Sequence, residues 1–86
     1  MSRVVDPRNT RAWRKLRDQV VREEPVCTLQ LDAGCTYWST TADHIVNYVD
    51  APHFGMVRTN LRGACLHCNS VRGGRDRHRR RANWLL

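Results

Sequence analysis

Apolar positions near the start of the chain recur at the spacing of one helical face. Trp13, Leu16 and Val20 lie three and four residues apart, and most of the residues between them are charged. The Asn-Thr pair at residues 9–10 can cap the first turn, and Pro25 ends the segment because its ring is incompatible with a continuing helix. The pattern predicts an amphipathic helix with its apolar stripe on the core.

Two further segments are distinguished by composition rather than by helical periodicity. Residues 36–46 are rich in Thr, Tyr, Trp, Ile and Val, which favours a β-strand. Residues 47–59 carry Pro52 and Gly55, so we predict a loop there. We interpret residues 60–68 as a turn that closes on a pair of cysteines.

The C-terminal part of the chain is dominated by arginine, with six arginines within residues 72–81. A short helix is predicted to begin near Asn69 and to be interrupted at Gly73 and Gly74, because glycine weakens a helix interior. Residues 84–86 are apolar, and we expect them to pack back on the domain.

A length of 86 residues allows one domain. Within 1–86 we expect a flexible arm at 1–9, a core at 10–72 and an arginine-rich C-terminal segment at 73–86. A domain this small hides only roughly 60% of its unfolded surface, so its core needs a disulfide, a metal or a partner.

Four cysteines are available to reinforce that core. Cys65 and Cys68 have the two-residue gap that lets one turn aim two thiolates at one ion, and Cys27 and Cys35 would complete a tetrahedral zinc site. The alternative is two disulfides. The N-terminus resembles no secretory leader, and a reducing compartment favours zinc. His67 is expected to point away from the ion.

The charge of the chain indicates a nucleic-acid partner. The formal net charge is +7, from 15 basic against 8 acidic residues, and the pI is about 10.3. Clustered arginine suits bidentate contact with phosphate, whereas the alternative is a solvated surface that only maintains solubility. No apolar run approaches the roughly 20 residues that span a bilayer, so we expect a cytoplasmic protein without a membrane partner.

Asp43 and His44 combine a hard oxygen ligand with a histidine, a side chain that commonly acts as a general base. Asn60 and Asn69 follow, and each offers a carbonyl oxygen and a donor. Phosphodiester hydrolysis needs a base for water and a cation to stabilise the phosphate, and these residues supply both. Adjacent strand residues face opposite ways, so both reach one phosphate only if the strand bends or ends there.

The segments ADHIV at 42–46 and NLRGACLHCN at 60–69, together with the lead-in helix, resemble the HNH endonuclease motif. The resemblance covers about residues 10–72 and is greatest to small stand-alone HNH proteins, many of them from phages. It implies an α+β fold, a small zinc-stabilised ββα-metal (His-Me finger) domain with an N-terminal helix.

The resemblance also implies a role for each matching residue. His44 corresponds to the general base, and Asp43 corresponds to the acidic ligand of a catalytic Mg²⁺ or Mn²⁺ ion. Asn60 corresponds to the middle asparagine, which hydrogen-bonds the base and fixes its ring, and Asn69 replaces the last histidine as a metal ligand. Arg72 corresponds to a phosphate contact. Further DNA contacts are expected from the remaining arginines of the segment: Arg75, Arg77, Arg79, Arg80 and Arg81.

The function implied is metal-dependent hydrolysis of DNA, expected to be double-stranded, by nicking with low sequence specificity. The resemblance also implies a phage protein that acts with terminase in DNA packaging, in the cytoplasm of the host cell. A zinc-stabilised module that binds nucleic acid without catalysis is the alternative. A secreted peptide with two disulfides is a third interpretation, and the oligomeric state is left open.

Overall fold

The computed structural model describes residues 10–84, without the side chains at 80 and 82–84. The predicted arm at 1–9 and residues 85–86 lie outside the described residues, as does the side-chain packing expected at the C-terminus. The elements are α1 (Arg11–Glu23), β1 (Thr41–His44), β2 (Leu61–Ala64) and α2 (Leu66–Trp84). This arrangement confirms the α+β class and the N-terminal helix.

Helix α1 forms as the apolar periodicity predicts. The Thr10 side chain caps it by accepting a hydrogen bond from the Trp13 amide at 3.1 Å. Trp13 and Val20 are buried against Ala42 of β1 and Leu61 of β2, and the partly buried Leu16 packs at the edge. Burial of this stripe on the hairpin, rather than intrinsic propensity, is what stabilises a helix of this length.

The two strands form an antiparallel hairpin in which Thr41 pairs with Ala64 and His44 pairs with Leu61. The first strand is much shorter than the predicted 36–46. In the structure Tyr37 adopts a left-handed conformation with φ of 73°, and Trp38 makes only an isolated bridge to Val26. The chain turns there around the cysteines, so tertiary contacts override strand propensity.

Strand β2 was not predicted, because a four-residue segment that contains Gly63 has little strand signal of its own. The strand exists through its pairing with β1. A Cβ atom on Gly63 would lie 2.3 Å from the Glu24 carbonyl oxygen, so only glycine lets the end of α1 approach this strand.

Helix α2 is continuous over 19 residues, and the predicted interruption at Gly73 and Gly74 is wrong. Each glycine costs a helix about 1 kcal/mol relative to alanine, and contacts of this helix with the rest of the protein offset that cost. It begins between Cys65 and Cys68, in the segment that we call the cysteine knuckle. Arg72 and Asp76 attach the middle of the helix to the segment after β1. Among residues 10–84, neither helix combines the length and apolar character needed to cross a bilayer.

Candidate active site

The four cysteines converge at the end of the hairpin where β2 enters α2. Their sulfur atoms all lie within 4.8 Å of one another, and Cys27, Cys65 and Cys68 are buried while Cys35 is partly exposed. All four are free thiols, and the Cys65 and Cys35 sulfurs are 3.8 Å apart, against about 2.05 Å in a disulfide. The geometry suits one tetrahedral ion and disfavours the two-disulfide alternative.

Backbone amides from both cysteine loops stabilise the sulfurs of this four-cysteine cluster. The Leu31 amide donates to the sulfur of Cys68, and the Cys68 amide donates to the sulfur of Cys65, both at 3.4 Å. Burial opposes ionisation of Cys65, but hydrogen bonds from the Cys68 and Thr36 amides outweigh it and lower the pKa of this thiol to about 6. Burial raises the pKa of Cys68 to about 12.

His67 lies within the knuckle but points away from the sulfurs, as the sequence predicted. Its Nε2 lies 2.7 Å from the Asp32 carboxylate, and that ion pair with His67 lowers the pKa of Asp32. The ring covers Gly34, where a Cβ atom would lie 2.5 Å from Nε2. His67 therefore ties the 27–35 loop to the knuckle.

A second site occupies a cavity of about 470 Å³ beside β1 and α2. Helix α2 contributes positions 69, 70, 72, 73, 76 and 77, which recur at the i, i+3, i+4 spacing of one helical face. The polar and charged residues that line this β1–α2 cavity include Asp43, His44, Asn47, Asn69, Arg72, Asp76 and Arg77. The structure thus brings together the predicted base and both predicted ligands of the catalytic ion.

His44 is the last residue of β1, and its ring is fixed on two sides. The imidazole stacks on Trp13 with centroids 5.2 Å apart and an angle of 11° between the planes. Its Nε2 lies 3.0 Å from the Gly55 carbonyl oxygen, which can only accept a hydrogen bond, so Nε2 carries the proton. In the neutral ring Nδ1 is then the free base, on a residue that lines the cavity.

Asn60 has a different role from the one that the resemblance implied. Its side-chain oxygen accepts from the Val46 amide at 2.8 Å, and its nitrogen donates to the carbonyls of Val46 and Phe54. The imidazole of His44 is held by Gly55 instead. The side chain of Asn60 therefore fixes the backbone of the loop after β1, and this loop places the Gly55 carbonyl against His44.

Asp43 lies on the strand face opposite to His44, as alternation along a strand requires. Its carboxylate is buried, with 5% of the side chain exposed, and it accepts a hydrogen bond from Nε of Arg62 at 2.8 Å. Arg62 is its cross-strand partner. Asn69, in the first part of α2, is half-buried and lines the same cavity. Because β1 ends at His44, both neighbours reach the cavity despite facing opposite ways.

Arg72 is engaged inside the protein rather than presented to solvent. Its guanidinium donates to Asp43 and to the carbonyl oxygens of His44 and Ile45, and only 18% of its side chain is exposed. This differs from the phosphate contact expected for Arg72, because position 72 faces the hairpin three residues after Asn69. The exposed side chains of the segment are Arg75, Arg77, Arg79 and Arg81, and the side chain of Arg80 lies outside the description.

Three functional features were missed at the sequence level. Asp76 is buried and accepts a hydrogen bond from Asn47 at 3.0 Å, which attaches α2 to the residues after β1. Arg62 supports Asp43, and Trp13, predicted only as a core anchor, also supports the imidazole. The one available signal was that position 76 continues the helical face of Asn69 and Arg72.

Comparison with models of known protein families and with curated proteins returned no match. Comparison with solved structures matches the crystal structure of a deep-sea thermophilic bacteriophage GVE2 HNH endonuclease with manganese ion. The TM-score is 0.65 at 20% sequence identity, and the match covers 84% of this chain and 79% of that chain. The chain therefore has the fold of an HNH endonuclease.

Proposed function

We propose that this protein is a metal-dependent HNH endonuclease that hydrolyses phosphodiester bonds of double-stranded DNA. The observation that carries the proposal is one cavity lined by an imidazole with a free Nδ1, a buried carboxylate and a carboxamide. These belong to His44, Asp43 and Asn69, the positions that the HNH motif assigns to catalysis. The shared fold with a phage HNH endonuclease supports the same activity.

The residues present fit two different ions. Four converging sulfurs suit zinc in a closed structural site, and we assign Zn²⁺ to the four-cysteine cluster. The oxygens of Asp43 and Asn69 suit Mg²⁺ or Mn²⁺, which prefer hard oxygen ligands. That ion would stabilise negative charge on the phosphate and on the departing oxygen. The manganese ion of the structural neighbour supports this assignment.

His44 would act as the general base. Its Nδ1 takes a proton from a water molecule, and the water oxygen attacks the phosphorus in line with the departing 3′ oxygen. The departing 3′ oxygen takes a proton from solvent, and the products are a 5′-phosphate and a 3′-hydroxyl. The Gly55 carbonyl and the Trp13 ring keep the imidazole in one tautomer and orientation, and the same carbonyl stabilises it when it becomes protonated.

The exposed arginines of α2 would bind the DNA backbone on either side of the cavity. Arg77 lines the cavity, and Arg75, Arg79 and Arg81 are exposed on the same helix. Arg80 belongs to this set by sequence position. Phosphate contacts position DNA without reading its sequence, so we expect low sequence specificity and an affinity that falls steeply with salt.

One active site makes one nick, so a double-strand break requires a second copy, a second encounter or a partner enzyme. The phage origin of the structural neighbour supports a role beside a phage terminase in the host cytoplasm. Co-purification with the subunits of a phage terminase tests this part of the proposal. If added terminase leaves cleavage unchanged, the proposed role beside terminase is wrong, but the nuclease assignment is unaffected.

A nicking assay on supercoiled plasmid distinguishes a nuclease from a module that binds nucleic acid without catalysis. We expect the wild-type protein to nick plasmid when Mg²⁺ or Mn²⁺ is added but not when both ions are left out. His44→Ala and His44→Gln should lower the rate about 10²- to 10⁴-fold, the usual contribution of a general base. His53→Ala, which removes an exposed histidine from the same loop, is the matched control.

Both His44 variants should retain zinc and bind DNA as the wild type does. A wild-type protein that binds DNA and zinc but cuts with no divalent ion would support the non-catalytic module. Equal losses in His53→Ala and His44→Gln would show that the imidazole at 44 has no special role.

A further inference from the structure

The carboxylate of Asp43 is held by two arginines through one oxygen atom. Nε of Arg62 and Nη1 of Arg72 both donate to Oδ2. Within residues 10–84 the hydrogen bonds to this carboxylate fall on Oδ2, which leaves Oδ1 as the oxygen available to a cation. Asp43 is therefore oriented for metal binding by two residues that are themselves cations.

Arg72 cannot move aside at low cost, because it has several anchors besides Asp43. It donates to the His44 carbonyl, and its Nη2 donates to the Ile45 carbonyl at 2.7 Å. Its Nε lies 3.5 Å from the carboxylate of Asp76, one helical turn further along α2. Arg62 is fixed in a different way, as the cross-strand partner of Asp43. The two guanidiniums are thus built into the fold.

The fixed charges around the cavity are consequently unfavourable for a cation. Asp43 and Asp76 contribute two carboxylates to the cavity lining, and Arg72 and the exposed Arg77 contribute two guanidiniums, while Arg62 adds a third positive charge where it pairs with Asp43. Asn69 is neutral. The guanidiniums of Arg62 and Arg72 are mostly buried, so solvent screens their charges only in part and they repel a divalent cation. A DNA phosphate in the cavity would reverse this balance, because it brings negative charge and further oxygen ligands.

We propose that Arg62 and Arg72 are positioning residues that make binding of the divalent ion depend on DNA. They fix Oδ1 of Asp43 as a ligand and at the same time keep the site too positive to hold the ion without a phosphate. This inference rests on the proposed nuclease function. The ion and the scissile phosphate then bind with positive coupling, and each raises the affinity for the other by the same factor.

The test measures Mn²⁺ affinity by electron paramagnetic resonance of the zinc-loaded full chain, with and without a short DNA duplex. All samples carry His44→Gln, which slows cleavage and retains Asp43 and Asn69. We expect DNA to tighten Mn²⁺ binding about tenfold or more, within the roughly 5- to 150-fold range of coupled sites. Equal Mn²⁺ affinity with and without DNA would overturn the proposal.

Arg62→Gln, added to the same background, identifies the source of the coupling. We expect it to tighten Mn²⁺ binding in the absence of DNA and to reduce the DNA effect. An arginine that only stabilised the structure would act in the opposite direction, because a loosened Asp43 binds Mn²⁺ more weakly. Arg22→Gln, which removes an exposed charge at the end of α1, is the matched control and should leave the DNA-free affinity unchanged.

Arg72→Gln provides the same test if Arg62→Gln fails to fold, as judged by zinc content and circular dichroism. Unchanged or weaker DNA-free Mn²⁺ binding in the folded variant would contradict the inference. The outcome is separable from that of the nuclease proposal. Plasmid cleavage by the wild type without DNA-dependent Mn²⁺ binding would refute only this inference, and coupled Mn²⁺ binding without cleavage would refute only the nuclease.

Discussion

The two ends of the β1–β2 hairpin carry sites of opposite character. At one end Thr41 pairs with Ala64, and the four-cysteine cluster follows directly. At the other end His44 pairs with Leu61 beside the β1–α2 cavity. The cluster consists of converging sulfurs, most of them buried, whereas the cavity is open and lined by polar and charged side chains.

This difference shows how a small domain separates stability from chemistry. A closed sulfur site can bind its ion tightly and hold the segments of the chain together, because no substrate has to enter. A site for phosphate must remain accessible and must place polar groups that are not fully satisfied until the substrate arrives. Helix α2 joins the two, since it begins in the cysteine knuckle and its next turns line the cavity.

Substitutions at Cys68 and Asn69, which are adjacent in α2, should give the largest contrast between the two sites. Cys68→Ser should unfold the protein, because a structural zinc contributes about 10–16 kcal/mol and a domain is stable by only about 5–15 kcal/mol. Asn69→Ala should leave the circular dichroism spectrum and zinc content unchanged while it greatly lowers cleavage and Mn²⁺ affinity. If Cys68→Ser remains folded, or if Asn69→Ala cuts normally, the assigned division between the two sites is wrong.

Asn60→Ala tests whether the cavity end also depends on a structural residue. The change removes the hydrogen bonds to Val46 and Phe54, and the unpaired groups should cost about 2 to 3 kcal/mol in the free energy of unfolding. Cleavage should fall as well, because the loop then no longer presents the Gly55 carbonyl to His44. Urea unfolding and plasmid nicking measure the two effects, with the exposed Thr59→Ala as control.

Two glycines compare the tolerance of strand β2 and of the 27–35 loop to an added methyl group. Gly63→Ala should destabilise by about 1–3 kcal/mol, since its Cβ meets the backbone carbonyl of Glu24 at 2.3 Å. Gly34→Ala should cost less, because the atom in its way belongs to the half-exposed His67 side chain, which can rotate. Thermal unfolding of the zinc-loaded variants decides the order, and a greater loss in Gly34→Ala would reverse this interpretation.

The smallest expected effect is a gain in stability in the middle of α2. A Cβ atom on Gly74 would have its nearest neighbour at 3.9 Å, on the Arg77 side chain, so Gly74→Ala adds no clash. Removing glycine from a helix interior should then stabilise the protein by about 0.5–1 kcal/mol. A loss of stability in the same thermal unfolding experiment would indicate that α2 is interrupted at this point, as the sequence alone suggested.

The parts of the fold that could be predicted are those with a local signal. The stripe of Trp13, Leu16 and Val20 predicted α1, because helical periodicity lies within one segment. The knuckle of Cys65 and Cys68 predicted an ion site for the same reason. Strand β2 and the continuity of α2 were missed, since both depend on contacts with distant segments rather than on their own residues.

The amino-acid sequence by itself determined which chemical groups are present and in what order: four thiols, a histidine next to an aspartate, two asparagines and a run of arginines. The tertiary structure decided their partners. Asp43 meets Arg62 and Arg72 from 19 and 29 residues away, and His44 meets the Gly55 carbonyl from 11 residues away. Spacing constrains only residues on one local element, whereas the charge and orientation of a site depend on how separate elements pack.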